Sequence, residues 1–127
     1  MIINKDWGYE YIIINEPEYC LKRLCIFAGR KSSLHYHEKK KETFLVVSGI
    51  VRLEQVDIRG ALIDEMLEPT ALRTLMPGTP HRFSSLENSL ILEVSTHHSD
   101  EDVIRLEPSG YLNKQIENQS VGEPHAR

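Results

Sequence analysis

At 127 residues and 14.6 kDa the chain has room for one core, and folding should remove roughly two thirds of its unfolded surface from water, which excludes a catalytic domain with a separate recognition domain beside it. Apolar residues at 40% and charged residues at 27% describe a globular chain rather than a disordered one. With 15 Lys+Arg against 19 Asp+Glu, a net charge of −4 and a pI near 5.8, no chain-wide positive field exists to hold a phosphodiester backbone, so nucleic acid is not an expected partner.

Met1 to Glu10 has no basic stretch leading into an apolar one. The longest apolar runs, Ile12-Ile13-Ile14 and Phe44 to Val47, are too short to cross a bilayer, so a cytoplasmic protein without a membrane partner is expected. Short apolar or β-branched segments then alternate with turn residues: Tyr9 to Asn15, Tyr19 to Ala28, Ser33 to His37, Thr43 to Ser48, Ile50 to Ile58, Ala61 to Leu67, Leu72 to Met76, Arg82 to Ser85 and Leu90 to Thr96. Strands at this spacing with Gly and Pro at the joints predict an all-β sandwich or barrel. Cys20 and Cys25, five apart in the second strand, leave opposite faces and are expected as free thiols. Ser99 to Leu106 reads as a short C-terminal helical segment, because Ser99 and Asp102 have capping-box spacing and Asp100, Glu101 and Asp102 suit a helix N-terminus. A second helical pattern covers Leu112 to Asn118. The chain therefore divides into a domain over 1–117 and a polar tail over 118–127.

The chemistry is concentrated between Gly29 and Gly49 and again at Pro77 to His81. Residues two apart on a strand share a face, so His35 and His37 present two imidazoles to one side, ~6.6 Å apart at their Cα atoms, a gap one metal ion can bridge. Glu42 follows at the mouth of the next strand, where a carboxylate can close a third position. Pro77-Gly78-Thr79-Pro80-His81 sets another histidine directly after a rigid turn. Three imidazoles and one carboxylate make a borderline-hard donor set that suits one divalent Zn, Mn, Fe, Ni or Co ion per chain and leaves room for water or substrate.

These spacings resemble the first motif of the cupins, G(x)5HxH(x)3,4E(x)6G, across Gly29, His35, His37, Glu42 and Gly49, and Gly78 with His81 is similar to the second, PxGxxH followed by Asn. Met76 stands in place of the motif's proline and Ser85 in place of its Asn. The resemblance implies a double-stranded β-helix (jelly-roll) barrel, usually dimeric, with metal bound inside by His35, His37, Glu42 and His81. A narrower resemblance runs through Asp6-Trp7-Gly8, Leu21 to Leu24, Val46 to Gly49, Pro77 to Arg82 and Asp102 to Glu107. Those segments are similar to the cupin domain of type II mannose-6-phosphate isomerases, which implies a sugar or sugar phosphate and aldose-ketose isomerisation. That family's acidic-Tyr-Gly-Arg ending is replaced here by Pro108-Ser109-Gly110-Tyr111-Leu112, without the arginine.

Of the remaining residues, Lys22 and Arg23 are strand neighbours, so one faces inward, and the resemblance favours a substrate-facing role for at least one of them, Lys22 as a catalytic and Arg23 as a substrate-binding candidate. Arg82 follows a ligand and should point to the opposite face, as a surface or interface charge or an anion contact. Glu93, in an otherwise apolar strand, needs a cation or a hydrogen bond and is the candidate general base, with Lys22 as the other catalytic candidate. Arg105 is expected to pair with Asp102 on a helical turn, Lys39-Lys40-Lys41 to form a solvated loop, Trp7 to pack over a barrel edge, His97 and His98 to lie on the surface, and Tyr36 to point away from the metal. The resulting expectation is a homodimeric, metal-dependent sugar isomerase or epimerase, in which the metal stabilises an enediolate. An iron-dependent dioxygenase and a non-catalytic sugar-binding or accessory protein are the rival readings.

Overall fold

The computed structural model describes residues 1–112; the polar tail at 118–127 and all but the first residue of the Leu112 to Asn118 pattern lie outside the described residues. The nine predicted segments are all strands, with ends matching or shifted by one or two residues, and four further strands join them. In chain order they are β1 (Ile2–Lys5), β2 (Gly8–Asn15), β3 (Cys20–Ile26), β4 (Arg30–Lys31), β5 (Leu34–Tyr36), β6 (Glu42–Ser48), β7 (Val51–Val56), β8 (Leu62–Leu67), β9 (Leu72–Leu75), β10 (His81–Ser85), β11 (Ser89–Ser95), β12 (Ile104–Glu107) and β13 (Gly110–Tyr111).

One sheet runs β1-β2-β3-β11-β6-β9, antiparallel throughout. In the other, β10 is central: β4 and β5 pair in succession with one edge and β7 with the other, while β12 flanks β5, β13 flanks β4 and β8 flanks β7. The two sheets enclose one interior, a jelly-roll barrel, and no helix of the described residues is long and apolar enough to cross a membrane.

Strand alternation sets what that interior contains. Along β3 the buried positions read Cys20, Lys22, Leu24, Ile26; along β11, Ser95, Glu93, Ile91, Ser89; along β6, Glu42, Phe44, Val46. Register brings Glu93 opposite Lys22, and Ile91 opposite both Leu24 and Val46. The inward residues thus form layers, a charged one at one end and an apolar one below it. The apolar layer, with Leu53, Leu67 and Leu75, is the core, each such side chain stabilising the fold by roughly 1.5–3 kcal/mol when fully buried. Phe44 and Phe83 meet edge to face at 4.5 Å and form the floor between the two layers.

The expected helix at 99–106 is replaced by a turn followed by β12. The Asp102 carboxylate turns away from its own segment and accepts the backbone N–H groups of Glu38, Lys39 and Lys40 at 2.9 to 3.1 Å, which frees Ile104–Glu107 to extend and pair with β5. Satisfying three N–H groups of a distant loop outweighs a local cap. Arg105, on a strand and not a helical turn, is consequently not the partner of Asp102. The thiols are free, Cys20 inside the barrel and Cys25 on the other face.

Gly49, between β6 and β7, has φ +84, and a Cβ there would sit 2.1 Å from Ser89 Oγ and 2.9 Å from its Cα. Gly60 has the same backbone sign, φ +85, with nothing within 4 Å. Denaturant unfolding should therefore show Gly60→Ala losing about 1–2 kcal/mol from backbone conformation alone, and Gly49→Ala losing a further ~1–3 kcal/mol from overpacking.

Candidate metal centre

The His35 imidazole leaves β5 and the His81 imidazole leaves the facing first residue of β10, a directly opposed pair whose ring centroids are 4.6 Å apart. His37 lies just past the end of β5, with its ring 5.1 Å from that of His35. Ligand nitrogens of all three lie within 4.8 Å of one another. Glu42, the first residue of β6, completes the group: its Oε2 is 3.2 Å from His81 Nε2 and 3.6 Å from His37 Nε2.

Each imidazole is oriented from behind. His35 Nδ1 donates to Ser33 O and His81 Nδ1 to Thr79 O, both at 2.9 Å, and His37 Nδ1 donates to Asp102 O. A carbonyl only accepts, so Nδ1 carries a proton in every case, which leaves Nε2 as the nitrogen each ring can offer a metal. Burial, with the neighbouring His81, pushes His35 down to about 3, and burial lowers His37 as well, so both rings are neutral near pH 7. Burial alone would raise the Glu42 carboxyl, but its hydrogen bond with His81 and the Lys40 ammonium outweigh that and hold it well below the usual carboxylate range. Three imidazoles and one carboxylate, all converging, are a donor set that could hold a divalent transition metal.

The group opens into a cavity of about 500 Å³, the size of a small-ligand site, floored by Phe44 and Phe83. Glu93 and Lys22 line it, as the sequence suggests. Lys40 also lines it, and here the structure corrects the solvated-loop expectation: Lys39 and Lys41 are exposed, but Lys40 is 4% exposed, because its ammonium lies 3.1 Å from Glu93 Oε2 and 3.3 Å from Glu42 Oε1. Burial would lower Lys40, but these two carboxylates hold it above its ordinary value. Burial pushes Glu93 up, and Lys40 opposes the shift. His97 is at the surface, whereas His98 lines the cavity, its Nδ1 accepting from Lys22 Nζ at 3.2 Å and its Nε2–H donating to Asp100 Oδ1 at 2.9 Å. Lys22 also pairs with Glu10 at 3.2 Å.

Two candidates lie elsewhere. Arg23 follows Lys22 and so faces outward, its guanidinium 5.3 Å from the Tyr11 ring centroid. Arg82 does point away from the ligand side, but β10 is covered on both faces, so Arg82 is 8% exposed and donates to Ser32 O, Glu107 Oε1 and Pro108 O at 2.9 to 3.0 Å. It fastens the chain after β12 to the barrel and is neither a free surface charge nor a cavity residue. The arginine that does line the cavity is Arg105: it opposes His35 in the β12–β5 ladder, and opposed residues share a face. The helical reading of 99–106 concealed it. Trp7 packs against the core and lines the cavity, and Tyr36 does not line it.

No protein-family model and no curated protein matches the chain. Solved structures do. Oxalate decarboxylase from Bacillus subtilis at pH 4.6 superposes with a TM-score of 0.76 at 18% identity, over 84% of this chain and 30% of that one. The formate complex of Lactobacillus farciminis oxalate decarboxylase gives 0.74 at 17%, over 84% and 33%. CapF with the inhibitor 3-isopropenyl-tropolone gives 0.75 at 19%, over 84% and 34%. The chain spans about a third of the length of these structures, and at such identity the likeness establishes the fold.

Metal analysis of the purified protein should find one divalent ion per chain, and His35→Ala should weaken its binding by more than about 100-fold, beyond the loss typical of altering an outer-shell partner. Arg82→Ala should keep the ion and lower the melting temperature instead.

Proposed function

We propose that this chain, a cupin by fold, is a metal-dependent enzyme acting on a sugar or sugar phosphate, as an aldose-ketose isomerase or an epimerase in carbohydrate or surface-polysaccharide metabolism. The observation that carries the reading is a buried carboxylate, Glu93, lining the same cavity as three converging imidazoles and Glu42. Moving a proton between neighbouring sugar carbons is served by a cation at the oxygens those two carbons bear and by a base that reaches both carbons. A divalent ion held by His35, His37, Glu42 and His81 would supply the first, as a Lewis acid toward the negative charge that develops on those oxygens.

Glu93 supplies the second. Its carboxyl, raised above the ordinary carboxylate range by burial and held beside Lys40, is placed to take and return a proton. Lys22 is the second catalytic candidate, a buried donor between Glu10 and His98 from which a sugar hydroxyl can accept. Arg105 takes over the anion contact first expected of Arg23 and Arg82 and would receive a phosphate at the far end of the substrate. The tropolone named for the CapF structure carries two adjacent oxygens, the donor pattern an aldose or ketose also offers.

We also propose a cytoplasmic homodimer. The outer face of the β1-β2-β3-β11-β6-β9 sheet carries Tyr11, Leu45, Leu92, Val47 and Val94, the last two 43% and 53% exposed, an apolar face that a second copy would cover. Light scattering should report a dimer, and Val94→Asp should yield monomers.

Incubating the metal-loaded protein with aldose and ketose phosphates and free sugars in D₂O, followed by NMR, should show interconversion within one sugar class and deuterium at the carbon bearing the transferred proton. Glu93→Gln should lower kcat by about 10²–10⁴ while retaining the metal. Turnover of a small carboxylic acid and of no sugar, or full isomerase activity in Glu93→Gln, would overturn the assignment.

A further inference from the structure

The two oxygens of Glu42 are not equivalent. Oε2 faces His81 and His37, whereas Oε1 lies 3.3 Å from the Lys40 ammonium. That ammonium also lies 3.1 Å from Glu93 Oε2, and at 3.4 Å it shares the single His98 Nδ1 lone pair with Lys22. The backbone it springs from is anchored: the Lys40 N–H is held by Asp102 Oδ2 at 3.0 Å, and the N–H groups of Glu38 and Lys39 are held by the same carboxylate.

We infer that Lys40 is a positioning residue that reserves Glu42 Oε1, so that Glu42 offers a metal ion one oxygen rather than two, leaving a pair of coordination positions open for two substrate oxygens. The inference rests on the metal-centre reading above. A free carboxylate beside a cation binds through one oxygen or both; the buried ion pair with Lys40 disfavours the second choice, because Oε1 would have to leave the ammonium to reach the ion. Three imidazoles and one oxygen fill four positions of a six-coordinate ion such as Mn²⁺, and a two-oxygen Glu42 would leave room for only one substrate atom. The same ammonium also fixes the distance between Glu42 and Glu93, so the residue that frees the coordination sites also sets where the proposed base stands relative to them.

The test is water-proton relaxation of the Mn²⁺-loaded protein, which counts exchangeable waters on the ion without requiring turnover. Lys40→Met should lower the relaxivity per bound Mn²⁺ to about half, as two open positions become one. Lys40→Met with Glu42→Gln should restore it, because an amide binds through its single oxygen. Glu93→Gln alone, which keeps the Lys40 to Glu42 contact, should leave it at the wild-type value. Lys40→Met strands two buried carboxylates; if it does not fold, the pair Lys40→Met with Glu93→Gln carries the same measurement with one charge fewer. Unchanged relaxivity at full Mn²⁺ occupancy in the Lys40 variants would overturn the role of Lys40 and leave the metal centre standing. Failure of the wild-type protein to bind Mn²⁺ or any other divalent ion would overturn the metal-centre reading and the inference together.

Discussion

A charge inside a β-barrel survives only if an opposite charge is buried with it. Alternation along β3, β6 and β11 aims Lys22, Glu42 and Glu93 into an interior from which water is largely displaced, and each would be costly there alone. Lys40, arriving from the loop before β6, meets both carboxylates at 3.1 and 3.3 Å, and Glu10 meets Lys22 at 3.2 Å. Such pairs seldom stabilise a fold as much as apolar residues of equal size would. Their presence in the interior is better explained by what they hold in place, a carboxylate turned toward three imidazoles and a second carboxylate free to face a ligand.

The apolar layer below has the opposite role. Leu24, Phe44, Phe83 and Ile91 carry the hydrophobic burial, and the edge-to-face contact of the two phenylalanines separates the core from the cavity. His81 stands on this floor, its ring 6.2 and 6.1 Å from those of Phe44 and Phe83. A histidine packed on aromatic rings and tied through Nδ1 to Thr79 O has little freedom to turn. The rigidity of the donor group therefore comes from packing as much as from hydrogen bonding, which is what pre-orientation of metal ligands requires.

Much of this was legible in the sequence, and what was not shares one physical cause. His35 and His37 share a face by strand periodicity, and the opposition of Lys22 and Arg23 follows from the same rule. Lys40 is illegible because three consecutive lysines read as a solvated run, and the nearer of the two carboxylates that draw the middle one inside, Glu93, is 53 residues away in sequence. Asp102 carries the local signature of a helix cap, yet it serves N–H groups 62 to 64 residues earlier in the chain. Strand alternation places Arg82 on the face away from the imidazoles, but the outside of a central strand is not solvent: Glu107 and Pro108 cover it. Local pattern reports direction along a strand; it does not report what the rest of the chain brings to that face.

The cavity mouth is built differently from the centre it serves. Asp6 and Trp7 come from near one end of the described chain, and Arg105, Pro108 and Ser109 from near the other. Ser109 Oγ donates to Asp6 Oδ2 at 2.9 Å, Arg30 donates to Asp6 O and stacks on Tyr111 at 4.2 Å, and Leu112 N–H bonds to Gly29 O at 2.8 Å. Most of these contacts are exposed, where an ion pair or hydrogen bond is worth ~1 kcal/mol or less, in contrast to the buried pairs around Glu42. A substitution at the mouth can therefore change which molecule is admitted at little cost to the fold. A substitution among Lys40, Glu42 and Glu93 leaves a charge unpaired in the barrel, so the chemistry of the centre is constrained by the fold in a way that the choice of substrate is not.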